Sequence, residues 1–293
     1  MKSILTVLAL LGLATAAHAQ TVSYVVITRS HDHNQTAWST PGEATTNPWQ
    51  FGAFVVGNSL TSSNPVTSAS FTSAAGSTVA SGSLTFDNEW EAEYGYATSG
   101  ALTTAFADGN YTMTFNSGAY TTPTRALSST LYPNVPQFTL TSGSGTWVGN
   151  MLYVSPSVEL VFTTNTYTTN FSAGSTRVGW DVSGNGYFNS NGMGDFTGNS
   201  ATITIPAGSL IAGNTYDLYT EFGRILDQGV LTSTGITGLD NATFATILHT
   251  STSIQLYAVP EPASYAAALG ALVLVGAISR RRRLGRVTVA GRG

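Results

Sequence analysis

Short alternating or apolar runs, each cut off by Gly, Pro, Asn or Ser, recur along this 293-residue chain. In the first half they are Val22–Thr28, Phe51–Val56, Val66–Thr72, Ser83–Phe86, Glu89–Tyr96 and Tyr111–Phe115. Strands place alternate side chains on opposite faces, and turns need residues that tolerate tight backbone, so this cadence predicts an all-β fold of packed sheets. Charge points the same way. Only 9% of residues are charged, with a single Lys against 44 Thr and 31 Gly, which disfavours coiled coils and helices laced with ion pairs. One short helix is expected, with Ser99 as its cap, Leu102 and Phe106 one turn apart within 100–107, and Asp108-Gly109 as its stop. The absence of Cys excludes disulfides, thiolate zinc sites and a cysteine nucleophile.

A break at Tyr132-Pro133-Asn134-Val135-Pro136 follows a Ser/Thr-rich stretch and divides the body into two tandem β-sandwich domains. Residues 20–131 read as a β-sandwich or jelly-roll-like domain. Residues 132–258 carry a second strand series: Gln137–Thr141, Val158–Thr164, Ala201–Ile205, Thr215–Phe222, and a last strand marked by Ile254 and Leu256. Within this series Leu210-Ile211-Ala212-Gly213-Asn214-Thr215-Tyr216 resembles the tyrosine corner of fibronectin type III and immunoglobulin-like sandwiches. That resemblance implies an immunoglobulin-like second domain in which the Tyr216 hydroxyl bonds back to the turn. The alternative is that Leu210 and Tyr216 merely face one core in another β topology.

Both ends read as addresses. Residues 1–19 have Lys2, an apolar run from Ile4 to Leu13 and the small-residue pattern Ala17-His18-Ala19, the makings of a secretory signal peptide cut after Ala19. At the other end, Ala263 to Ser279 form a charge-free stretch of 17 residues closed by Arg280, Arg281, Arg282 and Arg283. As a helix it would be about 26 Å long, close to the hydrocarbon thickness of a bilayer. The arginines would hold residues 284–293 in the cytoplasm and the body outside. Just before this stretch stands Val259-Pro260-Glu261-Pro262, whose prolines keep the backbone extended and exposed. Pro-Glu-Pro, an apolar helix and an arginine cluster, spanning 259–283, resemble the tripartite PEP-CTERM sorting signal of Gram-negative bacteria. Membership implies transient partnership with a membrane-embedded exosortase and the inner membrane, cleavage near Pro260-Glu261-Pro262, and release to the cell surface or extracellular matrix. The ten residues after the arginines depart from the usual pattern, which ends within a few residues of them.

Between Gln20 and Ala258 only four arginines face fourteen carboxylates, a formal net charge of −10. Such a body is repelled by nucleic acid, whose binding depends on Lys and Arg. Among candidate chemistries, Asp87, Glu89, Glu91 and Glu93 would share one face of a strand, opposite Trp90, Ala92, Tyr94 and Tyr96. They could host calcium or a glycosidase acid/base pair, but a solvated face that discourages edge-to-edge pairing is the simpler reading. Asp181–Gly186 matches half of an EF-hand loop, but Gly192 stands where the bidentate Glu belongs, so a turn is expected. His31-Asp32-His33 puts two imidazoles on one side of an extended segment; a polar loop is expected there rather than a metal site. Trp38, Trp49, Trp147 and Trp180 could form a sugar-stacking platform, although most should be core. No Gly-x-Ser-x-Gly elbow or His-Glu-x-x-His helix occurs in the body. The expectation is therefore a structural or adhesive protein of the surface or matrix, with no catalytic residues, metal or cofactor and with exopolysaccharide as a candidate partner. A carbohydrate-binding module, calcium-dependent or not, is the alternative, and a glycoside hydrolase a weaker one.

Overall fold

The computed structural model describes residues 20–168, 176–190 and 199–260. The first half comprises β1 (Thr21–Asn34), β2 (Gly42–Glu43), β3 (Trp49–Asn58), β4 (Ala69–Thr72), β5 (Ser81–Ser83), β6 (Thr85–Asp87), β7 (Glu89–Tyr96), α1 (Ser99–Ala105), β8 (Gly109–Phe115), β9 (Tyr120–Thr121) and β10 (Arg125–Leu127). The second comprises β11 (Phe138–Ser142), β12 (Gly145–Val148), β13 (Met151–Val154), β14 (Leu160–Thr164), β15 (Thr176–Gly184), β16 (Tyr187–Ser190), β17 (Thr202–Ile205), β18 (Thr215–Val230) and β19 (Thr243–Ala258). Among the described residues the protein is predominantly β, with one α-helix, and its sheets stack as sandwiches.

One eleven-stranded sheet, ordered β16-β15-β18-β19-β1-β3-β7-β6, runs through both halves. Its spine is β19, antiparallel to β18 along its whole length and parallel to β1 from Thr243 to Ser253. Where β1 ends, β13 takes its place beside Gln255–Ala258. A five-stranded sheet built on β10-β8-β4-β5 and a three-stranded sheet, β11-β14-β17, complete the layers. Both pack on the same face of the large sheet, because Phe244 and Leu248 of β19 belong to one core and Ile254, Leu256 and Ala258, in step with them, to the other.

The first core joins Val25, Ile27, Phe51, Phe71, Phe106 and Tyr111 to Leu231, Leu239, Phe244 and Leu248, contributed by the far end of the chain. Phe51 and Phe106 stack with centroids 3.8 Å apart. The second core gathers Phe138, Leu152, Phe162, Val182, Ile203, Leu218, Phe222 and Leu256. The two cores divide near residue 131, but residues 231–248 complete the first, so β18 and β19 serve both. These strands run to sixteen residues each, well past the expected Thr215–Phe222 and the stretch marked by Ile254 and Leu256.

The seam between the cores explains part of the Thr content. Thr246, Thr250 and Thr252, all buried, donate their hydroxyls to the carbonyls of Ala126 (2.5 Å), Pro133 (3.0 Å) and Pro136 (2.6 Å). β-branched residues suit the strand, and their hydroxyls satisfy the carbonyls of the connector that crosses it. Arg29, fully buried, ties β1 to the end of α1 by donating to the Phe106 carbonyl and to Asp108.

Three local expectations are corrected. The helix cap is Thr98, not Ser99: Thr98 keeps extended backbone and its hydroxyl accepts from Ala101 N at 3.1 Å. Asn88 turns at φ 65°, so Asp87 lies on β6, paired across the hairpin with Glu89, instead of extending β7. His31-Asp32-His33 is the end of β1, not a loop. The Asp181–Gly186 segment is β15 closing into a two-residue hairpin turn, with Asn185 at φ 50° and Gly186 at φ 81°. Among the described residues no helix is long and apolar enough to cross a membrane. The signal-peptide and transmembrane segments lie outside the described residues.

Candidate functional site

A polar pocket of about 440 Å³ opens where β1 gives way to β13 beside the spine. Its floor comes from Asn34, Asp217, Ser253 and Gln255 on the face of the large sheet opposite the two smaller sheets. One wall is the loop that leaves β1 and folds back as β2, giving Gln35, Thr36, Gly42, Glu43 and Thr45; the other is Asn150, in the turn joining β12 and β13. Among the described residues no Lys or Arg lines it. Its volume falls in the range of small-molecule sites, but its lining is far more polar than most.

Gln35 holds the loop in place. Its side chain is buried, with Nε2 donating to the carbonyls of Phe138 (2.9 Å) and Ala37 (3.0 Å), while Oε1 accepts from Phe138 N (2.8 Å). A carboxamide carries both donor and acceptor, so it completes the edge of β11 as a further strand would. Glu43 is fixed by His31 Nε2 at 2.9 Å, and Asn34 Oδ1 accepts from Ser253 Oγ at 3.1 Å. By contrast, among the described residues, no hydrogen bond engages the side chains of Thr36, Thr45, Asn150 and Gln255. Trp38, from the same loop, is 43% exposed and meets Trp147 of β12 edge-on, with centroids 5.5 Å apart. Loop and hairpin are thus joined by an indole pair that leaves one ring open to solvent.

Two residues down the same strands, on the same face, lies a buried acid–imidazole cluster. Asp32, Ser251 and Glu221 stand side by side across β1, β19 and β18. Ser251 Oγ donates to Asp32 at 2.8 Å, Gln50 Nε2 donates to its other oxygen at 2.5 Å, and Tyr219 donates to Glu221 at 2.8 Å. His249 Nδ1 sits 3.3 Å from Glu221, as an ion pair without good hydrogen-bond alignment. Burial lowers the His249 pKa, but the Glu221 carboxylate, helped by Asp32 and Glu93, outweighs it and leaves the imidazole above its ordinary value. Burial pushes Asp32 up, against the pull of His249 and Ser251, and holds the Tyr219 phenol well above its usual range. Glu221, His249, Ser251 and Tyr219 are buried among the central strands and Asp32 is half-buried beside them, so these groups fix the strands to one another.

The expected acid face of β7 is present in part. Trp90 packs in the first core with Ala92, Tyr94 and Tyr96 against it, while Glu89, Glu91 and Glu93 point the other way. Glu89 is buried, and burial followed by repulsion from Glu91 and Glu93 pushes its pKa up to about 7. Among the described residues no group of three or more His, Asp and Glu side chains is placed to hold a metal ion. His31 stacks on Trp49 at 3.6 Å and lies beside His33 at 4.1 Å, facing the connector Tyr132. Trp49, Trp147 and Trp180 are half-buried against the cores. Of the sorting residues, Pro260 directly follows the last paired backbone, whereas Ala17, Ala19, Glu261, Pro262 and Arg280 to Arg283 lie outside the described residues.

The pocket was not foreseen. Its residues come from five separate segments, and the only local signal was the density of Asn, Gln and Thr in the 34–47 loop. No protein-family model matches the chain, and no curated protein matches it.

Proposed function

We propose that this is an exported protein, handed by an exosortase from the inner membrane to the cell surface or extracellular matrix, where its role is structural or adhesive and not catalytic. The supporting observation is where the tripartite tail begins. The Val259 N–H still donates to the Val154 carbonyl at 2.8 Å, so the ordered sheet runs to the residue before Pro260. A break placed directly after the last strand offers a protease an extended segment without unpicking either core. Fractionation tests this reading. With exosortase present, the protein should be released without its tail; in cells lacking exosortase it should stay membrane-bound with Arg280 to Arg283 attached. Release of tail-less protein without exosortase would overturn it.

The pocket favours a specific form of adhesion, namely glycan binding. Sugars present dense hydroxyls to carboxamides and carboxylates, and Asn150, Gln255 and Asp217 line the pocket with those groups. Immobilised exopolysaccharide should retain the processed protein, and N150A with Q255A should weaken retention.

The finer architecture is also proposed: an immunoglobulin-like second unit within 132–258, without residues 231–248, which complete the first core. It is supported by Ile211 N donating to the Tyr216 hydroxyl at 2.7 Å, the bond of a tyrosine corner.

A further inference from the structure

We propose that the pocket is one end of a longer track, and that two tyrosines beside it, Tyr153 and Tyr257, take the next sugar rings of an extended, β-linked polysaccharide with equatorial hydroxyls. This rests on the glycan reading and specifies the kind of chain. Leu152 and Val154 of β13, like Ile254, Leu256 and Ala258 of β19, point into the second core. Alternation therefore turns Tyr153 and Tyr257 to the opposite face, the one that carries the pocket floor. The parallel register sets them side by side, with ring centroids 4.8 Å apart and ring planes 47° to one another. Gln255 of the pocket floor precedes Tyr257 by two residues, so the pair begins about 7 Å further along the strand. Exposed Thr215 and Thr146 flank it, paired with Tyr257 and Tyr153 across β18 and β12. Both rings are half-exposed, and among the described residues neither is part of a hydrophobic core.

A pyranose whose hydroxyls are equatorial has C–H groups above and below its ring and hydroxyls around its rim. The faces suit phenol rings, and the rim suits carboxamides and hydroxyls. This surface offers both in succession: the carboxamides of Asn150 and Gln255 in the pocket, then the two rings with a threonine on either side. Because the ring planes are turned, a chain resting on both must twist between neighbouring sugars, as a single dissolved chain does. Other occupants fit less well. A protein partner needs about 800 Å² on each side around an apolar centre, and two tyrosines bordered by exposed Thr and Gln do not supply one. Nucleic acid, whose bases also stack on aromatic rings, is repelled by a body with four arginines against fourteen carboxylates.

The test measures binding of the full chain, purified from expressing cells, to glucose oligomers of two and of six units by calorimetry. The β-linked oligomer of six units should bind about tenfold tighter than that of two, the worth of the added ring contacts. An α-linked oligomer of six units, whose chain coils away from the sheet, should show no such gain. Y153A and Y257A should each remove most of the gain and leave the two-unit oligomer bound as before, whereas Y153F and Y257F, which keep the rings, should retain it. Y257W should enlarge the gain, which keeps the test decisive if the alanine variants fold poorly. Affinity that does not rise with length, a gain that survives both alanine variants, an unchanged gain in Y257W, or an equal gain with the α-linked chain would overturn this inference and leave the glycan reading standing. Failure of every oligomer would remove the glycan reading and this inference together, without touching the sorting proposal.

Discussion

Replacing Gln35 with Ala should destabilise the protein far more than its small volume change suggests. The Gln35 side chain is 1% exposed and makes three hydrogen bonds, two of them to the backbone of Phe138. Alanine leaves the Phe138 N–H and C=O without a partner in a buried setting, at about 1–3 kcal/mol each. Relief of the ordered Gln side chain returns up to about 2 kcal/mol of entropy. Two such losses, about 4 kcal/mol together at the middle of that range, less this entropy leave a net loss of about 2–4 kcal/mol. Because β18 and β19 belong to both cores, unfolding should be a single transition, so urea curves followed by circular dichroism and by indole fluorescence should coincide and shift together. Q35E is the control. It keeps the acceptor for Phe138 N–H but loses both donors and sets a carboxylate against two carbonyls, so it should be no better than Ala. A loss below about 1 kcal/mol in Q35A, or two separated transitions, would refute the view that this carboxamide ties the first strand to the second core.

Other perturbations give equally direct readings. Glu89, raised to about 7, binds a proton in the folded state that the unfolded chain releases near pH 4.5, so its presence makes stability fall as pH rises between these values. E89Q should therefore match the parent near pH 4 and exceed it by up to about 3 kcal/mol at pH 8, read from urea midpoints. His31, lowered to about 4 by burial and His33, acts with the opposite sign between about pH 4 and 6.5, but it is common to both proteins and cancels in the difference. Y216F removes the hydroxyl that accepts from Ile211 N and should cost about 1 kcal/mol, whereas a neutral result would argue against a working tyrosine corner. A chain ending at Val259 should fold as the full body does. One ending at Ser253 loses Ile254, Leu256 and Ala258 from the second core and the partner of β13, and should show no cooperative unfolding above 25 °C.

The local elements were largely legible in the sequence because they obey simple periods. Trp90, Ala92, Tyr94 and Tyr96 alternate with Glu91 and Glu93, and the structure keeps that division. Leu210 and Tyr216 carried a spacing whose hydrogen bond is present. The spine was not legible. His249-Thr250-Ser251-Thr252 reads as polar on both sides, yet all four are buried: one side bonds the connector carbonyls and the other joins the Asp32–Glu221 cluster. Hydrophobic periodicity cannot register a strand whose burial rests on hydrogen bonds. The same reason hid the parallel pairing of β1 with β19, which joins residues more than two hundred positions apart. The pocket escaped notice because its floor is assembled by that pairing.

Intact-mass measurement of the protein recovered outside the cell most directly tests the claim that the folded body runs from Gln20 to Val259 between two removable signals. The account predicts a single species beginning at Gln20 and ending within a few residues of Pro260. A secreted species whose mass still includes Arg280 to Arg283, or one cut upstream of Ala258, would contradict it.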